Sequence, residues 1–119
     1  MSDTEVDALV RRYYLLVDAG DIEGLLALFT EDAVYERQGS QKMNGKEQMR
    51  LFYQSQRVIE SGKHSLEAVV PGDTWVAVRG VFRGTLKDGE RVNVPFTDWY
   101  KFNGLRIAHR QTLFPARTI

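Results

Sequence analysis

The second half of the chain is four strand-like segments cut by three turn signals, and this limits the possible folds more than any other feature. The segments run from His64 to Val70, Thr74 to Leu86, Glu90 to Phe102 and Leu105 to Phe114. Pro71-Gly72-Asp73, Lys87-Asp88-Gly89 and Asn103-Gly104 separate them. Connections this short make neighbouring strands antiparallel, because a parallel pair needs a crossover of a dozen or more residues. The first half supplies the cover for the sheet. Val6, Leu9, Val10, Tyr13, Leu16 and Val17 recur at helical spacing between the capping candidates Ser2-Asp3-Thr4 and the stop at Gly20. Asp21 can cap a second, short helix with Ile22, Leu25, Leu26 and Phe29 inward, ended by Thr30-Glu31-Asp32. A short strand is expected over Ala33 to Arg37, a polar loop over Gln38 to Asn44 and Gly45, and a third helix over Lys46 to Ile59, before Ser61-Gly62. The third helix places Met49, Phe52, Tyr53 and Gln56 on one side. The expectation is a single α+β domain, residues 1–119. Its three N-terminal helices pack on one face of a curved, mostly antiparallel sheet and enclose a conical pocket. Gly80 inside the second strand predicts a bulge or bend.

A chain of 119 residues holds one core and is too short for a second. Sixteen basic residues balance sixteen acidic ones, so there is no net field to hold a polyanion, and no nucleic-acid partner is expected. The longest apolar stretch is far short of a membrane span. The start Met1-Ser-Asp-Thr-Glu is acidic where a signal peptide is basic and then apolar. The expectation is a soluble, cytoplasmic protein. The lack of cysteine excludes disulfides, thiolate nucleophiles and zinc-thiolate sites. His64 and His109 lack ligand spacing and read as surface or interface residues, so neither a metal nor a cofactor is expected.

Chemistry therefore falls to acid-base groups, and Asp98 stands out. Side chains alternate along a strand, so Val92, Val94, Phe96, Asp98, Tyr100 and Phe102 share one face, on which Asp98 is the only ionisable carboxylate. Burying it is costly unless it is paired, hydrogen-bonded or protonated, which makes it either a pocket acid-base group or half of a structural ion pair. The first reading predicts that Asp98→Asn keeps the fold and changes ligand binding.

Several stretches resemble the ketosteroid isomerase and SnoaL-like polyketide cyclase branch of the NTF2-like superfamily. They are Leu9-Val-Arg-Arg-Tyr-Tyr14, Asp18-Ala-Gly-Asp through Glu31-Asp-Ala33, Arg50-Leu-Phe-Tyr53, Asp98-Trp-Tyr-Lys-Phe-Asn-Gly104 and Leu113-Phe114. The resemblance implies an NTF2-like cone and a small-molecule ligand. It also implies that Tyr13 and Asp98 occupy the oxyanion-hole positions of the isomerases, where donors stabilise a developing enolate. It puts Arg37 where those enzymes carry an aspartate general base, and arginine cannot accept a proton. A one-residue slip would bring in Glu36 instead, though a gap is absorbed more easily in the following loop. On the last strand it places Ala108, Arg110, Thr112 and Phe114 on the pocket side. Arg110 then stands at a position that is apolar in the isomerases, and arginines near Asp98 would lower its pKa and keep it charged.

Two functions follow. One is acid-base chemistry on a carbonyl, epoxide or polyketide-like substrate, with Tyr13 and Asp98 as oxyanion or acid-base groups and Arg37 or Glu36 at the base position. An arginine beside a carboxylate is also similar to the epoxide hydrolases of the superfamily. The other is a non-catalytic protein that binds a small hydrophobic or carboxylate ligand. Tyr35, Phe52, Tyr53, Val78, Phe82, Phe96, Tyr100, Arg110, Thr112 and Phe114 are the expected pocket wall. Tyr14 is expected to point about 100° away from Tyr13, into the sheet or to the surface rather than into the pocket. Trp75, Ala77, Arg79 and Val81 with Thr97 and Trp99 form an outer sheet face suited to a homodimer.

Overall fold

The computed structural model describes residues 2–119, so Met1 of the expected domain lies outside the described residues. Helix α1 (Asp3–Asp18) begins at a reciprocal cap. The Glu5 amide donates to the Ser2 hydroxyl at 3.2 Å and the Ser2 amide donates to the Glu5 carboxylate at 3.0 Å, which satisfies two otherwise orphaned donors. Its buried face is Val6, Val10, Tyr13, Tyr14 and Val17, while Leu9 and Leu16 lie at its margin. The centre of the apolar stripe runs through Val10 and Val17, leaving Tyr13 and Tyr14 about 50° to either side of it. Tyr14 therefore points about 100° from Tyr13, as expected, and packs into the core against the sheet, where it meets Asp98 and Phe96.

Asp21 caps α2 (Ile22–Leu26), accepting the Gly24 amide at 2.9 Å. Phe29 starts a strand instead of closing this helix, so β1 (Phe29–Arg37) begins four residues before the expected Ala33. The polar loop ends in a two-residue strand, β2 (Met43–Asn44), paired antiparallel to β1. Helix α3 (Lys46–Leu51) widens into a π-helical turn (Phe52–Gln56) and stops there, short of the expected Ile59. Strands β3 (Ile59–Pro71), β4 (Val76–Leu86), β5 (Arg91–Asn103) and β6 (Arg106–Leu113) follow.

Ser61 and Gly62 lie inside β3, opposite Thr85 and Gly84, and not at a helix stop. Packing explains this glycine: a Cβ on Gly62 would lie 2.4 Å from the Phe82 ring and 2.5 Å from the Arg83 carbonyl oxygen. Gly80 likewise admits the Phe96 ring, and the register shift near it falls across the ladder in β3, between Leu66 and Ala68.

The six strands form one curved sheet in the order β2-β1-β6-β5-β4-β3. Neighbours are antiparallel except β1 and β6, which run parallel and bring Tyr35 beside Arg110 and Arg37 beside Thr112. The expected period holds along β5: Val92, Val94, Phe96, Asp98 and Tyr100 are buried, and only Phe102, beyond a register shift at Lys101, is half-buried. Among the described residues no helix is long and apolar enough to cross a membrane, and no cluster of three or more His, Asp or Glu could hold a metal. Helices cover the concave face, and on the outer face Ala77, Arg79, Val81, Thr97 and Trp99 remain half-buried or exposed.

Candidate functional site

The sheet register and α1 together build a polar centre inside an otherwise apolar core. Asp98 on β5 lies opposite Val78 of β4 and Thr112 of β6, with Tyr14 reaching it from α1. Arg110 forms a forked pair with it, Nη2 to Oδ2 at 2.9 Å and Nε to Oδ1 at 3.2 Å. Thr112 donates its hydroxyl to Oδ1 and Tyr14 donates to Oδ2, while Tyr100 donates to Tyr14 at 2.7 Å. Four donors occupy a carboxylate that has about four lone-pair sites and no exposed surface. Burial pushes the Asp98 pKa up, but the Arg110 charge and the hydrogen bonds from Arg110, Thr112 and Tyr14 outweigh it and hold the group below the ordinary value. Asp98 is therefore an ionised, fully bonded anchor for Arg110. Burial raises the Tyr14 and Tyr100 phenols well above their usual range, and the Asp98 charge adds to this, so both stay neutral donors.

Arg110 lies between Tyr13 and Asp98 and bonds both. Arg110 Nη1 donates to the Tyr13 hydroxyl at 2.7 Å and to the Tyr53 hydroxyl at 3.2 Å, and the two phenols bond to each other. The guanidinium also lies over the Tyr35 and Tyr13 rings, 4.5 and 4.8 Å from their centroids. Burial raises the Tyr13 pKa well above normal despite the Arg110 charge.

A second chain of bonds reaches the centre from the rim. Arg37 Nη1 donates to Tyr35 at 3.0 Å. Tyr35 then bonds Thr112 at 2.9 Å, which leaves Tyr35 as donor because the Thr112 proton goes to Asp98. Arg37 faces inward between the Phe52 and Phe114 rings, and its Nη2 donates to the Ile119 backbone oxygen at 2.9 Å. Glu36 turns outward to His109 at 3.3 Å and Lys42 at 3.9 Å, so the alternative register that would place it in the pocket is not adopted. The parallel pairing with β6 sets this phase: Arg37 stands beside the inward Thr112, and Glu36 beside the half-buried Gln111.

Val78, Phe82 and Phe96 are buried core residues. Side chains fill the depth of the cone, and cavities open at its rim. One of about 510 Å³ is lined by Met43, Gln48, Leu51 and Phe52, and one of about 480 Å³ by Arg57, Val58, Leu86 and Ile119. Three features escaped the sequence. Tyr14 is a direct partner of Asp98. Arg57, in the extended residue after the π-turn, lies over the Tyr53 ring at 5.7 Å. His64, read as an isolated surface residue, packs against Tyr14, Phe82 and Phe96 and holds Asp18, with Nδ1 2.5 Å from its carboxylate. Only the apolar Val58-Ile59 that follows Arg57 and the i,i+4 relation of Tyr14 to Val10 hint at these in the sequence.

Solved structures share the architecture. A protein with a ketosteroid isomerase-like fold from Catenulispora acidiphila, in complex with trimethylamine, superposes with TM-score 0.81 at 18% identity over 93% of this chain and 88% of that one. An LEH-like epoxide hydrolase from Mycobacterium tuberculosis gives 0.79 at 15% identity, covering 93% and 83%. A Xanthomonas campestris structure called a polyketide cyclase gives 0.77 at 20%, covering 92% and 89%. Identities this low show the fold alone. A model of the SnoaL-like domain matches residues 10–110, nearly the whole sheet and both tyrosines of α1, and so the chain belongs to the SnoaL-like domain family.

Proposed function

We propose that this protein binds a small, mainly apolar molecule at the mouth of the cone and polarises its carbonyl or enolate oxygen with the half-buried Tyr53 hydroxyl, to which the buried Tyr13 donates. A count of protons carries the reading. The two phenols share one hydrogen bond, and Arg110 donates to both, so of their two hydroxyl protons one has no acceptor among the described residues. A ligand oxygen is the natural acceptor. A phenol that already accepts from a guanidinium is a stronger donor, and the buried Asp98 holds that guanidinium in place.

This division of labour differs from an isomerase with an aspartate base. Asp98 is saturated, Glu36 faces outward and Arg37 stands at the base position, so Tyr53 acts as the electrophilic donor, backed by Tyr13, while Asp98 and Arg110 position the pair. Oxyanion stabilisation without a strong base suits a substrate whose C–H is already acidic, such as a polyketide-like β-dicarbonyl, in a cyclase- or isomerase-type step. A non-catalytic binding protein is the second reading, favoured by the same saturation of Asp98. In either case the probe is 2-naphthol, whose fluorescence distinguishes phenol from phenolate. The wild type should bind it and favour the ionised form, and Tyr53→Phe should weaken binding roughly tenfold, the worth of one good hydrogen bond. Equal binding by the two proteins overturns the reading. A second copy of the chain over the outer sheet face around Trp75 and Trp99 completes the proposal, and light scattering on the purified protein reads it: a monomer that persists at high concentration refutes the dimer.

A further inference from the structure

Arg37 and Arg57 are two inward-facing arginines at the mouth of the cone, and among the described residues neither forms a salt bridge with an aspartate or glutamate. Arg37 uses two of its five N–H donors, on the Tyr35 hydroxyl and the Ile119 backbone oxygen. Arg57 uses none on any described residue, and its Nε is buried without a partner. Burial pushes the Arg57 pKa down, and the like charge of Arg37 pushes the same way. Two guanidiniums drawn out of water near each other, neither paired with an aspartate or glutamate among the described residues, are an arrangement that an anion would relieve.

The surroundings define that anion. Phe52 and Phe114 flank Arg37, the Tyr53 ring lies under Arg57, and Val58, Leu86 and Ile119 line the adjoining cavity of about 480 Å³ together with polar residues that include Lys87, Asp88 and Arg117. Aromatic rings beside two planar forks suit a flat apolar body bearing one carboxylate better than a heavily hydrated polyanion. We propose that the ligand class is an aromatic or similarly apolar monocarboxylate, whose carboxylate is received by Arg57 together with Arg37. This deepens the function proposed above and rests on it: the carboxylate sets orientation at the rim, and Tyr53, stacked beneath Arg57, joins that rim to the Tyr13 and Arg110 donors.

The test titrates the full chain with 2-naphthoate and with its neutral counterpart 2-naphthamide by calorimetry. Wild type should prefer the carboxylate by roughly tenfold or more, the value of a charge-assisted hydrogen bond. Arg57→Met, which keeps the apolar stem, should bring the two probes to parity, Arg57→Lys should keep part of the preference, and Arg79→Met on the outer face should keep all of it. Relief of an uncompensated charge should leave the Tm of unliganded Arg57→Met at or above the wild-type value, whereas a structural arginine would lower it. Equal affinities in the wild type, a preference that survives Arg57→Met, or a lower Tm for that variant overturns the assignment. Binding of 2-naphthol without binding of 2-naphthoate removes the anion site and leaves the oxyanion reading standing; failure of both removes both.

Discussion

Replacing Asp98 with Asn would remove one charge from a buried pair and strand the other. Arg110 would remain enclosed by Tyr13, Tyr35 and Tyr100 with no counter-ion, so Asp98→Asn should cost about 3–5 kcal/mol in urea unfolding. This reverses the expectation drawn from alternation alone, that the substitution would spare the fold. The double replacement Asp98→Leu with Arg110→Met should recover most of the loss, because two apolar side chains leave no orphaned charge. If the double variant is as unstable as the single one, the pair is not what holds this region. Tyr53 offers the contrast: it is half-buried and its hydroxyl bonds, among the described residues, only Tyr13 and Arg110, so Tyr53→Phe should change ligand binding more than stability.

At the scale of elements, the β3-β4 ladder has its own packing rule. Gly62 and Gly84 face each other beneath the Phe82 ring, and a methyl group on Gly62 meets both that ring and the Arg83 carbonyl. Gly62→Ala should therefore destabilise the protein by about 1–3 kcal/mol, measured by thermal or urea unfolding, although alanine has the better intrinsic propensity for ordered backbone. An unchanged Tm would show that the ring can give way. In sequence this glycine, next to Ser61, reads as a helix stop, since a turn and a close approach leave the same signature. The π-turn is equally hidden, because Phe52 and Tyr53 satisfy a helical period up to the residue where Arg57 becomes extended. The strand order is more legible: β3 to β6 follow from three short turns.

For the whole molecule, the acid limb of stability follows from two shifted groups. Burial lowers the His64 pKa despite its bond to Asp18, and the charges of Arg110 and Arg57 act in the same direction. Its neutral form is thus favoured in the native state. The contribution is full above the unfolded value of about 6.5 and is lost as pH falls through the lower folded value. Asp98, also lowered, contributes above its unfolded value of about 3.9, and that share disappears at lower pH still. Stability should therefore start to fall on acidification below about pH 6.5, and His64→Gln should flatten that first slope while leaving the second. A wild-type stability that is level from pH 7 to 5 would contradict this.

The sequence by itself determined the α+β class, the antiparallel order of the last four strands and the buried face of β5. These depend on period and turn length, which are local properties. It left open whether Asp98 is protonated and whether Glu36 or Arg37 faces inward, and it did not show that Tyr14 bonds Asp98. Only the tertiary structure decided these. The partners of Asp98 come from α1 and β6, separated from it by 84 and by 12 to 14 positions, and the rotation of α1 about its axis is set by the sheet it packs on. The charge state of a buried carboxylate is the balance between burial and its neighbours, and that balance exists only once the chain has brought Arg110, Thr112 and Tyr14 around it.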